Sequence, residues 1–509
     1  MRQNATNMTK GTRQFFSCLA KVGKSKFFVV FVLALLLRAI PEFLSGAYPV
    51  GFDMLAGYFP SVAALPSNDP MKLFGWAYSP LAIYLIGFFQ IGTGGDIFLL
   101  LKIVGPVFYG FFVASFYFML SRGLGWSSRK SLVVSLLFLL QPAVMRAGWD
   151  QLREELGLII LFVLLGSTKL DFVEGAKSKP LYILASSILI VFSHQLAAIL
   201  FFVIAIFQLT GTLIKRQKRL WLPLVLIIPS ALLFIWQLYG QFANPSYSNH
   251  FMPLTLPSGT GNFVFTNYFL SDPRFLGGDY WRVLGYVSCL SLYVIVPLVP
   301  FALKGFFRDK VITPMLIWLS VMSFSIVVYP WYAFSNYWWW ILLLPIPLTI
   351  YAGHGLDRLN VFSDAKRWKK TLLGLGVVGV VAFSYAASVI PVGYPYAYYY
   401  IPSGLVNSSV PFEDIPDIDQ AMEWTNQHIS PETNVIVSEN IQGLAYVKLR
   451  DDINIRIVPA LMTLEEVGGL IDWKNEEYWV IYYITEIGSV DEYPFVLRIS
   501  FGDIGIFNI

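Results

Sequence analysis

Charge is scarce in this sequence. Asp, Glu, Lys and Arg make up 13% of its 509 residues, against about 25% in a soluble globular protein, which excludes a water-facing surface along most of the chain. Cysteine is scarcer still. Cys18 and Cys289 lie far apart without a metal-like partner, so they read as lone thiols and say nothing of redox compartment. No small-residue cleavage pattern follows the basic N-terminus (Lys10, Arg13, Lys21, Lys24, Lys26) and its apolar run, so that run reads as an uncleaved span. The inverted internal repeat of many transporters is missing. So are a Gly-rich phosphate loop, a nucleophile elbow and metal-ligand spacing in the hydrophilic C-terminal part.

What is present is apolar and aromatic. Hydrophobic residues make up 56% and aromatic residues 17%, with a mean hydropathy of +0.61. They cluster into runs at 27–44, 97–119, 131–146, 154–168, 181–194, 196–214, 220–238, 281–303, 311–329, 338–355 and 371–391. These predict a polytopic helical membrane protein of about eleven spans, each crossing a ~30 Å hydrocarbon core. A further run, 78–91, is too short to span and reads as a re-entrant or surface helix.

With 78–91 kept on the outer side, every basic loop falls on one face, which predicts a cytoplasmic N-terminus and an extracytoplasmic C-terminus. The organisation expected is a basic N-terminus over 1–26, a transmembrane domain over 27–391 with external loops 45–96 and 239–280, and an acidic domain over 392–509. That last part holds 18 acidic and 5 basic residues, whereas residues 1–391 hold 14 and 31. The basic half reads as an orientation signal beside anionic lipid and not as a nucleic-acid site. Helical spacing at 417–429 and 464–471, with strand patterns at 434–438, 453–458 and 478–484, predicts a small α/β domain.

Charges at a membrane boundary are costly, so those on the outer face carry the information. Asp53 lies among aromatic and glycine residues in Tyr48-Pro-Val-Gly-Phe-Asp53-Met-Leu-Ala-Gly-Tyr58, where a raised pKa would suit a general base. In Arg146-Ala-Gly-Trp-Asp150-Gln-Leu-Arg153-Glu154-Glu155, Asp150 and Glu154 are four apart and would share a face on a single helix. Arg146 and Arg153 are suited to forked hydrogen bonds with phosphate. A metal–phosphate site and a self-neutralising ion cluster both fit this pattern. His194 and Gln195 occupy a hairpin predicted on the same side, Lys72, Arg274 and Asp279 lie in the long loops, and the aromatic run 330–340 suits either stacking on a sugar or isoprenoid chain or an interfacial belt.

These positions, in this order, resemble the GT-C superfamily of membrane glycosyltransferases, which includes oligosaccharyltransferase catalytic subunits, protein O-mannosyltransferases and aminoarabinose transferases. Asp53 matches the acidic residue of the first external loop, Tyr78-Ser-Pro-Leu-Ala-Ile-Tyr84 a proline-led apolar segment, and Arg146-Ala-Gly-Trp-Asp150 an Arg-x-x-Gly-x-Asp type motif. Asn336-Tyr337, followed by Leu- and Pro-rich residues, stands where Arg-Tyr is common; the missing arginine requires another cation to bind phosphate. No Trp-Trp-Asp signature occurs in the C-terminal part, which favours transfer of a monosaccharide.

The resemblance implies a polyprenyl- or dolichyl-phosphate-linked sugar donor and a glycan, protein or lipid acceptor on the outer face. It implies Asp53 as base of an inverting transfer and Arg146 and Arg153 as ligands of the departing phosphate. Asp150 and Glu154 would orient the acceptor or, with Asp53, hold a divalent cation such as Mg or Mn. A transporter or lipid flippase, and a non-catalytic relative of the same superfamily, are the alternatives.

Overall fold

The computed structural model describes residues 26–51, 53–63, 80–214, 221–243, 294–309, 311–328, 337–358, 414–438, 440–458, 477–483 and 495–508. It also describes single residues or pairs at 65, 265–266, 284, 287–288, 291–292, 333–334, 376, 379 and 410. The first helix, α1 (Lys26–Leu44), packs along α4 (Ile97–Phe118). Between them lie a π turn (Met54–Tyr58), a short α2 (Phe59–Ala63) and α3 (Leu81–Thr93). At 13 residues α3 is too short to span, as expected of that run.

Helix α5 (Ser128–Leu139) is followed by α6 (Pro142–Asp150), so the run 131–146 is two helices and not one. The break falls at Gln141, extended at φ −72 and ψ 128, with Pro142 opening α6. Proline is tolerated in the first helical turn because its missing N–H would be unpaired there anyway. Helix α7 (Leu152–Ser167) starts at once and is bent by 78° from α8 (Phe172–Ser178). Lys169 and Leu170 take left-handed φ at that corner, and the Asp171 carboxylate caps α8 by accepting from Val173 and Glu174 N–H.

Helix α9 (Pro180–Ser193), α10 (Gln195–Ile214) and α11 (Trp221–Ala243) follow. Then come a two-residue ladder of β1 (Phe265–Thr266) and β2 (Ala333–Phe334), and the helices α12 (Val299–Ala302), α13 (Ile312–Val328), α14 (Tyr337–Leu343) and α15 (Pro345–Arg358). Three described helical segments are long and apolar enough to cross a membrane: Ile97–Gly123, Gln195–Ile214 and Trp221–Leu238. Helices α7 and α8 counted together make a fourth. Of the remaining predicted runs, 371–391 lies mostly outside the described residues. Stacked and edge-on rings of Phe112, Phe116, Phe138 and Phe162 knit α4, α5 and α7, with centroids 4.1 to 5.8 Å apart.

The C-terminal part is an α/β unit. Helix α16 (Ile415–His428) leads to β3 (Asn434–Ser438), α17 (Gln442–Lys448), β4 (Asn454–Val458), β5 (Tyr478–Tyr483), β6 (Val496–Phe501) and β7 (Ile504–Asn508). The sheet order is β4-β3-β5-β7-β6: β3 pairs in parallel with β4 and β5, while β7 runs antiparallel to β5 and β6. The inner strand β3 is apolar almost throughout, as a strand covered on both faces must be. The predicted helix at 464–471 lies outside the described residues.

One face of this sheet shares a core with the membrane part. Val435, Val437 and Ile481 belong to the same buried cluster as Ile418, Ile441 and Leu444, and as Met54, Leu55, Phe59 and Val62. The α/β unit therefore sits directly on the segment that begins at Asp53.

Candidate active site

Asp53 precedes the π turn and makes no side-chain cap bond to it, which leaves the carboxylate available to other groups. One turn later, the Tyr58 hydroxyl accepts a hydrogen bond from the Arg153 backbone N–H at 3.1 Å, and the Arg153 guanidinium lies 5.9 Å from the Tyr58 ring centre. That contact fastens the Asp53 segment to the start of α7. The Tyr58 phenol is held above its ordinary pKa by burial, so it stays neutral.

Asp53 is partly buried within electrostatic reach of Arg153 and Arg146. Burial pushes its carboxyl pKa up, and the two cations pull it back only in part. Arg146 is buried in α6. Its neighbour Gly148 permits the close approach of α6 to α4, since a Cβ there would lie 2.6 Å from the Tyr109 ring.

Glu154 is buried in the first turn of α7, where a carboxylate also meets the positive end of the helix. Its Oε1 lies 3.3 Å from His194 Nε2. His194 occupies the extended break between α9 and α10, and its Nδ1 accepts the Leu196 N–H at 3.2 Å. The ring proton of the neutral imidazole therefore sits on Nε2, directed at Glu154. Gly157 makes the approach of α7 to α10 possible: a Cβ there would lie 2.6 Å from that of Ala197. Gln195 is buried beside His194, and its Nε2 has no hydrogen-bond partner among the described residues.

Asp53 thus lies within electrostatic reach of Arg146, Arg153 and Glu154, Arg153 also reaches Glu154, and Glu154 carries His194 with it. Asp150 ends α6, but its side chain lies outside the described residues, as do Lys72, Arg274, Asp279 and Asn336. Of the side chains in the aromatic run 330–340 only that of Trp340 is described. It is 2% exposed and edge-on to Trp318, so it belongs to the core.

Among the described residues no three His, Cys, Asp or Glu side chains group as a cation site, and both described carboxylates of the set lie beside arginine. Spacing does not single out Tyr58, Arg38, Glu42, Lys102 or Glu155. The usable signal for the last four is an ionisable residue inside or at the edge of an apolar run. Chemically, a carboxylate that is hard to ionise, set against two guanidinium groups, suits proton abstraction next to a bound anion.

No protein-family profile matches the chain, and neither does any curated protein. Solved structures do. The aminoarabinose transferase ArnT from Cupriavidus metallidurans, bound to undecaprenyl phosphate, superposes with a TM-score of 0.53 at 15% identity, over 95% of this chain and 98% of that one. The arabinofuranosyltransferase AftD from Mycobacteria also superposes with a TM-score of 0.53, at 12% identity, over 94% of this chain and 39% of that one. At these identities the likeness concerns the fold alone: the chain shares the fold of ArnT and of the matched part of AftD, and its described helices include segments long and apolar enough to cross a membrane.

Proposed function

We propose that the protein is a glycosyltransferase that moves a sugar from a polyprenyl- or dolichyl-phosphate-linked donor to an acceptor hydroxyl on the extracytoplasmic face, with the N-terminus in the cytoplasm. The observation that carries this reading is the convergence of Asp53 with Arg146 and Arg153 at the junction of the π turn, α6 and α7. That ArnT was solved with undecaprenyl phosphate supports a lipid-phosphate donor.

In this reaction Asp53 takes the proton from the acceptor hydroxyl as its oxygen attacks the anomeric carbon from the face opposite the lipid phosphate. The bond from the anomeric carbon to the phosphate oxygen breaks, and the phosphate leaves with the electron pair. Arg146 and Arg153 stabilise that charge, the task for which a late arginine is absent at Asn336. Glu154, fixed by His194, orients the acceptor together with Asp150 and Gln195. Lys72 and Arg274 provide further charge toward the substrates from the external loops. A Mg or Mn ion, if used, would draw on Asp53, Asp150 and Glu154.

The test uses purified protein with polyprenyl-phosphate-linked radiolabelled sugars and a crude membrane acceptor fraction, comparing wild type with Asp53→Asn. The expected result is sugar transfer with release of lipid phosphate in wild type, and a loss of roughly 100-fold or more in the variant. Transfer that survives in Asp53→Asn removes the base from Asp53. No turnover with any donor sinks the transferase reading.

A further inference from the structure

Four charged side chains beneath the Asp53 turn have no role in this chemistry. Arg38 and Glu42, one turn apart on α1, form an ion pair at 2.5 Å and are 0% and 3% exposed. Arg38 Nε donates to the Gly148 carbonyl at 2.8 Å, and its Nη2 donates to the Val50 carbonyl at 3.3 Å. Glu42 Oε2 accepts the Val50 N–H at 3.0 Å and lies 3.5 Å from Lys102 Nζ on α4. Lys102 also donates to the Glu42 carbonyl, to Ser45 Oγ at 2.8 Å and to the Tyr48 carbonyl at 2.9 Å.

Both backbone groups of Val50, in the loop leading to Asp53, are therefore held by the pair. The same guanidinium also holds Gly148, in the helix that carries Arg146. Glu155 is fully buried within electrostatic reach of Arg38, and neither of its oxygens has a hydrogen-bond partner among the described residues. It brings the cluster to two cations and two carboxylates.

A buried ion pair stabilises a fold little more than apolar side chains of the same size would. Apolar side chains would not hold the backbone of two separate segments at a fixed spacing. We propose that Arg38, Glu42 and Lys102 are positioning residues that set the separation between the Asp53 turn and the arginine-bearing end of α6. This rests on the assignment of Asp53 and Arg146 as base and phosphate ligand.

The test is hydrogen–deuterium exchange of the full-length protein in lipid nanodiscs, read beside transfer kinetics, for wild type, Glu42→Gln, Lys102→Met and Arg38→Lys. Arg38→Lys keeps the charge but cannot fork to two carbonyls, so it serves where a charge-removing variant fails to fold. Exchange at 46–58 is expected to rise roughly 10-fold or more while α7 and α10 keep their protection. The kcat is expected to fall about 10-fold or more, with the donor KM changed less than about threefold. Unchanged exchange at 46–58, or a rise shared across the bundle, overturns the proposal, as does a change confined to KM. Local loosening in a protein whose wild type transfers no sugar would support the clamp and refute the transferase reading, so the two failures are distinct.

Discussion

Asp53 is costly to ionise where it stands, because burial outweighs the pull of Arg153 and Arg146 on its carboxyl group. As the proposed base, Asp53 is protonated to higher pH than an ordinary aspartate, so kcat/KM is expected to rise with pH through an apparent pKa above the usual carboxylate range. A pH–rate profile flat down to about pH 4 would contradict this. The same shift has a consequence for stability. The folded chain binds the Asp53 proton more tightly than the unfolded chain, so this residue's contribution to stability declines as pH rises from roughly 4 through the raised folded value. Asp53→Asn removes that penalty. Its thermal midpoint at neutral pH is expected to equal or exceed that of wild type, which makes it a clean probe of chemistry; a lower midpoint would show that the carboxylate supports the fold.

At the scale of elements, the site is made where helices stop. Asp53, Asp150, Arg153 and His194 all stand at or beside helix ends, and glycine lets those ends meet. Gly148→Val places branched carbon against Tyr109, whose hydroxyl is tied to the Leu139 carbonyl at 2.8 Å. The expected result is a loss of about 1–3 kcal/mol in stability and a larger loss of transfer, because α6 carries Arg146. Unfolding in mild detergent, followed with turnover, checks both. The apolar runs and the boundary charges were legible in the sequence because lipid forces both patterns. The break at Gln141 was not, since the Leu-rich run before it and the apolar Ala143-Val-Met145 after it read as one span and only Pro142 marks the interruption. Nor were Arg38, Glu42 and Lys102 read as a set: α1 and α4 meet through folding, and no spacing in the chain links residue 42 to residue 102. In the C-terminal unit the strands at 434–438 and 478–483 stood out as apolar runs. The edge hairpin of β6 and β7 did not, because β6 is largely exposed.

Across the whole molecule, the α/β unit is built onto the segment that follows Asp53 and not tethered away from it. Helix α17 packs against the π turn and α2, and Leu444, 1% exposed, shares their core. Leu444→Asp would bury a charge in that seam at a cost of roughly 3 kcal/mol or more. The expected outcome is rapid proteolysis within 410–509, an intact membrane bundle and loss of transfer. Full transfer by a protein cleaved in this way would show that the unit does not support the site.

The most direct test is a structure of the full-length protein with a polyprenyl phosphate bound. The account predicts the phosphate at charge-assisted hydrogen-bond distance, roughly 2.7–2.9 Å, from the guanidinium groups of Arg146 or Arg153, with Asp53 facing the position of the anomeric carbon. A phosphate held elsewhere, with Asp53 turned away from it, would contradict the account.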